Sequence, residues 1–251
     1  MSGTHITFSD AAGALDGIDG WLSEEQAHLL WDCAGKLPVG GRAVEIGSFR
    51  GRSTVITALA LPDGATVTAI DPHAGNDRGP QEWEGKEAEA ETDHSVFLAN
   101  LDRAGVRDRV THIRKFSNEA HADVEGDIDL LYIDGAHRYR PARADIEQWG
   151  DRVVAGGTML IHDSFSSIGV TAAILATLMN SGEWEYVGRS GSMAQYRREP
   201  MLPEEQRGSR RAQIAQLPWF ASNVFIKVLL TARLRPVATA LGFPADRPWP
   251  Y

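Results

Sequence analysis

The sequence predicts an α/β fold: a doubly wound, mostly parallel seven-stranded sheet that ends in an antiparallel hairpin. Three observations predict it. Short β-branched runs alternate with helical segments along residues 42–180, the pattern of repeated strand–helix–strand units. Those runs are apolar nearly throughout instead of alternating with polar residues, which marks strands covered on both faces. Beyond them, residues 184–188 and 193–197 flank Ser190-Gly191, a pair suited to a tight hairpin turn.

Residues 3–20 are glycine-rich and weakly periodic and predict a loop or a short helix. Ser23 with Gln26 three residues on has the form of a capping box, in which each side chain satisfies an orphan amide of the first turn. Ala27, Leu30 and Leu37 then give an apolar face, and Pro38-Val39-Gly40-Gly41 ends the helix. Residues 43–46 predict the first strand and 51–61 a helix; residues 65–70, 110–114, 128–133 and 158–161 predict four further strands. Helices are expected near 95–104, 141–149 and 170–179. Two stretches stand outside this alternation. Residues 74–93 carry seven acids against two bases, with Gly75, Gly79, Pro80 and Gly85, and predict a functional lid or a disordered insert. Residues 197–251 carry nine bases against four acids together with Trp219, Phe220, Phe225, Phe243 and Trp249, and predict an extra helix packed on the domain or on a dimer partner. The expected organisation is an N-terminal helical segment over 1–40, a central domain over 41–198 and a basic, aromatic extension over 199–251.

Composition excludes several classes. In 251 residues, 34 acids against 25 bases give a net charge of −9, so no global positive field exists and nucleic acid is not an expected partner. Cys33 is the single cysteine, which rules out an internal disulfide and a four-cysteine zinc module. The longest apolar stretch, near residues 219–230, is interrupted by Asn223 and Lys227 and falls short of a bilayer span. Residues 1–14 lack a basic leader and a long apolar run. A cytoplasmic protein is the expectation.

Three constellations carry chemistry. In Val44-Glu45-Ile46-Gly47-Ser48-Phe49-Arg50-Gly51-Arg52-Ser53 a strand runs into a turn with glycines four apart and opens a helix, so a ligand can approach the backbone and meet unpaired amides. The GxGxxG frame of a dinucleotide site is absent. Glu45, two residues before the first glycine, suits a ligand with a cationic amino acid portion better than a pyrophosphate; a purely structural turn is the plainer alternative. Asp71 ends the second strand, where a carboxylate accepts from the two hydroxyls of a ribose. Ser117, after the third strand, is placed for an adenine edge or for no ligand at all. Asp134 and Asp163 end the fourth and fifth strands, predicted neighbours, and two converging carboxylates repel unless a cation or a proton separates them. Oxygen ligands of this kind suit Mg²⁺. His137, three residues after Asp134, reaches the same cleft with a ring suited to proton abstraction near neutrality. His162, by strand alternation, is expected to point away from Asp163 and to serve in the core or behind the ligands instead of ligating.

These residues resemble the class I S-adenosylmethionine-dependent methyltransferases. The stretch IDGAHRYRPARADIEQWGDRVVAGGTMLIHDS is similar to a subgroup with a DGxH motif and a second acid after a GG-strand, which includes Mg²⁺-dependent sugar O-methyltransferases of actinobacteria. The resemblance covers residues 41–197. It implies a Rossmann-like methyltransferase fold, with Glu45, Gly47 and Gly51 along the methionine half of the cofactor, Asp71 on its ribose, and Ser48, Ser53, Ser117 and Asp134 completing its site. It further implies Asp134 and Asp163 as metal ligands and His137 as general base. Members often carry a second acid directly after the position of Asp163, whereas here Ser164 follows, which leaves a metal short of a ligand. The expected function is Mg²⁺-assisted methyl transfer to a hydroxyl of a sugar or oligosaccharide, by an enzyme expected to form a homodimer; the rivals are a catechol-like phenol as acceptor, a nucleotide-binding oxidoreductase, and a cofactor-binding scaffold without catalysis.

Overall fold

The computed structural model describes residues 6–74 and 87–244. Residues 75–86, most of the acidic stretch, lie outside the described residues, as does Trp249.

The capping box forms: Ser23 and Gln26 exchange side-chain and backbone hydrogen bonds of 2.9 and 3.3 Å at the start of α2 (Glu24–Ala34), which follows a short α1 (Phe8–Ala14). The sheet then grows outward from β1 (Arg42–Ile46). It pairs in parallel with β2 (Thr66–Ile70) on one side and β4 (Ile128–Ile133) on the other, Ile46 lying opposite both Ile70 and Ile133. The connecting helix α3 (Arg52–Ala60) leaves β1 through the glycine turn. Beyond β2 the chain forms α4 (Glu87–Arg103) and β3 (Val110–Ile113); beyond β4 it forms α5 (Tyr139–Gly150), β5 (Val153–Ile161) and α6 (Ile168–Thr177). The hairpin β6 (Trp184–Ser190) and β7 (Met193–Arg198) closes the sheet, with β7 antiparallel to β5. The strand order is β3-β2-β1-β4-β5-β7-β6. Because the chain leaves β1 in one direction and β4 continues in the other, their carboxyl ends open a crevice where α/β sheets bind ligands.

Strand alternation sorts side chains to two faces. Ala43, Leu130, Tyr132 and Leu160 pack beneath α1 to α4, while Val44, Leu131, Ile133 and Ile161 pack beneath α5 and α6. Two elements begin earlier than the sequence predicts. Helix α4 starts at Glu87, so residues 87–93 of the acidic stretch are helical. Strand β5 starts at Val153, carrying Gly156 at φ 80 opposite a register shift between Ile128 and Leu130. Gly156 and Gly157, which precede the predicted strand, belong to a bulged strand.

The C-terminal extension forms α7 (Pro203–Ile214), α8 (Leu217–Thr231) and α9 (Arg235–Ala240). Helix α7 lies along β6 and β7: the Tyr186 amide donates to Ser209 Oγ at 3.0 Å and Tyr196 donates to Gln213 at 3.2 Å. The Arg189 guanidinium sits 3.8 Å over the Trp219 ring. The run 203–231 is the one described helical stretch long and apolar enough to cross a bilayer. Asn223 and Lys227 instead bond it to the chain after β5.

Candidate active site

The turn after β1 needs its glycines. Gly47 sits at φ 85, and a Cβ there would run into the Asp134 carbonyl and the Gly135 Cα. Gly51, also at φ 85, packs against the Phe97 ring. Asp71, at the end of β2, fastens the turn: one carboxylate oxygen accepts the Ser48 and Phe49 amides at 2.9 and 2.8 Å and the other accepts the His73 amide at 2.7 Å. Its side chain still lines the cleft. His73 locks the turn from below, its Nε2 2.8 Å from the Phe49 carbonyl oxygen, and packs on His94, His112 and Phe97.

Glu45 lies 1% exposed on the α3 face, accepting from Ser53 and from Thr54, the latter at 2.5 Å. Burial pushes its carboxyl up to about 8, with the two hydroxyl hydrogen bonds opposing. Alternation along β1 explains the placement: the residue two before Gly47 points under the helix start and not into the cleft. Ser117, after β3, donates to Asp145 of α5 at 2.6 Å, and burial raises the Asp145 carboxyl to about 6.

At the other lip, Asp134 ends β4 and Asp163 follows β5, and the two strands are paired as the sequence predicts. Tyr132 donates to Asp134 Oδ2 at 3.0 Å. His137 Nε2 lies 2.6 Å from Asp163 Oδ2. His162 corrects the expectation that it points away: its Nδ1 stands 3.1 Å from Asp134 Oδ1 and 3.7 Å from Asp163 Oδ1. The first contact is off the line of a good hydrogen bond and acts as an ion pair. Asp163 sits at φ 56, and this left-handed residue breaks the strand alternation on which the expectation rested. The His162 Nε2 lies 3.4 Å from Gln26 Oε1, an oxygen whose orientation the α2 capping box fixes. Burial alone would lower the His162 imidazole; the flanking Asp134 and Asp163 carboxylates outweigh it and raise it to about 9. Burial likewise works against the Asp163 charge, but His162, His137 and Lys227 hold its carboxyl well below the usual range.

These groups share one cleft of about 1110 Å³. Of the predicted residues, Gly47, Ser48, Ser53, Asp71, Ser117, Asp134, His137 and Asp163 line it, and Glu45 and Gly51 do not. Ser48 Oγ is buried with no hydrogen-bond partner among the described residues. This orphaned hydroxyl, beside a turn that a Cβ would fill, fits a polar ligand laid against the backbone. Sequence reasoning missed Trp21, whose ring is 5.3 Å from that of Phe49 at the mouth, and also Asp145 and Lys227. Lys227 had a signal: with Asn223 it forms a polar pair four residues apart on an otherwise apolar helix.

The expected Mg²⁺ meets a competitor at this lip. Mg²⁺ is usually held by one or two carboxylates, with waters and substrate oxygens completing its shell. Here Asp134 and Asp163 close on the ring of His162, Asp163 also accepts from Ser166 at 3.2 Å, and Ser164 Oγ turns away to donate to the Ile161 carbonyl at 2.8 Å. Among the described residues no group of three or more His, Cys, Asp or Glu is arranged to hold a metal.

Comparison with known proteins bears on the domain and the fold. Residues 44–164 match Methyltransf_24, described as a methyltransferase domain. The chain is 33% identical over 104 residues to a caffeoyl-CoA O-methyltransferase of Populus kitakamiensis, which covers 39% of this chain and 37% of that protein. The chain spans 13% of another curated relative, an uncharacterised protein of Sinorhizobium fredii, so it covers well under two thirds of either. Among solved structures, cofactor-bound Rv0187 from MTB aligns with a TM-score of 0.54 at 21% identity, over 75% of this chain and 88% of that one. TomG, an O-methyltransferase from Streptomyces achromogenes in complex with SAM, aligns at 0.53 and 18%, over 76% and 87%. The fold is that of the Rossmann-like methyltransferases.

Proposed function

We propose, from the methyltransferase domain over residues 44–164, that this chain is an S-adenosylmethionine-dependent O-methyltransferase with His137 as general base. The observation that carries the proposal is the 2.6 Å contact between His137 and Asp163 at the lip of a glycine-lined cleft. When bound, the cofactor supplies an electrophilic methyl group. Gly47, Ser48, Ser53, Asp71, Ser117 and Asp134 would line it, while Glu45 acts one layer behind, holding Ser53 and Thr54 at the start of α3. Asp163 takes the Nε2–H of His137, so the neutral ring carries its lone pair on Nδ1. That nitrogen removes the proton of an acceptor hydroxyl and makes its oxygen more nucleophilic, a contribution of about 10²–10⁴-fold. No step of the proposed chemistry is routed through magnesium, because the His162 ring supplies the positive charge that the two carboxylates need.

The acceptor we propose is a sugar or oligosaccharide hydroxyl. The Trp21 and Phe49 rings at the mouth offer apolar faces, and Arg138 and Arg140 also line the cleft. In the extension, Trp219 and Phe220 pack against the core, and Lys227 is its contribution to the cleft among the described residues. A phenolic acceptor is the second reading, favoured by the 33% identity to a caffeoyl-CoA O-methyltransferase. For self-association, the exposed Phe225, Val228, Val237 and Leu241 on α8 and after it offer an apolar surface, and light scattering in solution gives the mass. A labelled-methyl screen over sugars, oligosaccharides and phenols, with and without EDTA, tests the function. Label on a sugar oxygen in EDTA is expected. Label only on phenols supports the second reading, and loss of transfer in EDTA contradicts the metal-free chemistry.

A further inference from the structure

The turn that carries Asp163 is held in a conformation its residues disfavour. Asp163 and Phe165 both have φ 56, in the left-handed region that side chains with a Cβ rarely adopt, and such backbone persists only where its surroundings over-determine it. Inside the turn, the Ser166 and Ser167 amides donate to the Asp163 carbonyl at 3.2 and 2.9 Å. The carbonyls of Phe165 and Ser166 are satisfied from another part of the chain. Asn223 Nδ2 donates to the first at 3.2 Å and Lys227 Nζ to the second at 2.9 Å. Four residues apart, these two donors share one face of α8, and Asn223 is buried. An amide and an ammonium placed on an apolar helix are costly to desolvate without such partners. Helix α8 lies wholly outside the 44–164 span matched to the methyltransferase domain.

We propose that α8 is a positioning strap for catalysis: Asn223 and Lys227 hold the strained turn so that Asp163 presents its carboxylate to His137. The proposal rests on His137 as the base. Without the two donors the turn relaxes toward the right-handed region, the Asp163 carboxylate swings off the His137 ring, and the tautomer that places the lone pair on Nδ1 is no longer enforced. The glycine turn and Asp71 stand on β1 and β2, on the far side of β4 from this turn, and keep their geometry.

The test uses the full chain with Asn223→Leu, Lys227→Met, the double variant and Lys227→Arg. Hydrogen exchange at residues 163–167 is expected to rise at least tenfold or so in Lys227→Met and in the double variant, with residues 44–55 unchanged. S-adenosylhomocysteine affinity stays within about twofold, while turnover at saturating acceptor falls by roughly 10²-fold with little change in KM, the scale of a misplaced catalytic group. Lys227→Arg, which keeps a cationic donor, recovers most of the turnover. Wild-type exchange at 163–167 in Lys227→Met overturns the proposal, as does an equal loss of protection and cofactor affinity across the whole chain. If the double variant does not fold, the two Lys227 variants decide. A wild-type chain that methylates no acceptor counts against the proposed function, and the exchange comparison still decides the strap.

Discussion

Replacing Gly47 with alanine probes the point where the cofactor turn meets the catalytic lip. Gly47 donates its amide to the Ile70 carbonyl at 2.9 Å and sits at φ 85. Holding alanine in the left-handed region costs about 1–2 kcal/mol. The new Cβ also overlaps the Asp134 carbonyl oxygen, and it approaches the Asp134 carbonyl carbon at 2.7 Å and the Gly135 Cα at 3.0 Å. These are backbone atoms and cannot rotate aside as a side chain would, so the segment at Asp134 must shift, with an overpacking cost of about 1–3 kcal/mol. The sum, about 2–5 kcal/mol, is a large part of the roughly 5–15 kcal/mol that stabilises an ordinary domain. Urea denaturation followed by circular dichroism reads the stability. Calorimetric titration with S-adenosylhomocysteine reads the cofactor side, where at least a tenfold or so loss of affinity, about 1.4 kcal/mol, is expected. A variant within about 0.5 kcal/mol of the wild type, the range of a neutral surface change, and binding the ligand equally well would refute the close approach.

Gly169→Ala should act on the other lip, because its Cβ would fall on the His137 carbonyl and come within 2.8 Å of the Tyr139 amide nitrogen; turnover should drop while S-adenosylhomocysteine affinity holds, and a parallel loss of both would sink the separation of the two lips. Stability should fall as pH rises from neutral toward about 9. His162, raised from 6.5 to about 9, contributes stability that is fully present below pH 6.5 and is lost as pH rises through about 9. That difference corresponds to something on the order of 3 kcal/mol. Glu45, raised from 4.5 to about 8, has the same sign, losing its contribution as pH rises through about 8. Asp163 has the opposite sign and loses its contribution only in acid, as pH falls below the usual carboxylate range. Denaturation midpoints that are flat or rising across this window would contradict the charge arrangement around His162.

Much of this molecule is legible in its sequence because the signals are local. The Ser23–Gln26 box marks the start of α2 to the residue, the apolar runs locate the five parallel strands, and Ser190-Gly191 locates the hairpin. Asp134 and Asp163 could be brought together because each ends a strand and neighbouring strands of a doubly wound sheet share an edge. The failures have physical causes of three kinds. Alternation sets His162 on the Leu160 face, toward Gln26, but misses its contact with Asp163, because that left-handed residue leaves the strand pattern. The early start of β5 is hidden by Gly156 and Gly157, whose bulge is set by pairing with β4 and not by their own preference. The early start of α4 is hidden by a polar sequence with no apolar face to mark it. Contacts across long separations are the hardest: nothing near Lys227 says that its ammonium meets the Ser166 carbonyl sixty-one residues away.

The most direct measurement of the central claim is single-turnover transfer of labelled methyl from S-adenosylmethionine by the wild type and by His137→Gln, each at saturating cofactor and acceptor. The account predicts transfer to an acceptor oxygen that slows by about 10²-fold or more in the variant, with S-adenosylhomocysteine binding unchanged. Equal rates in the two proteins would contradict it.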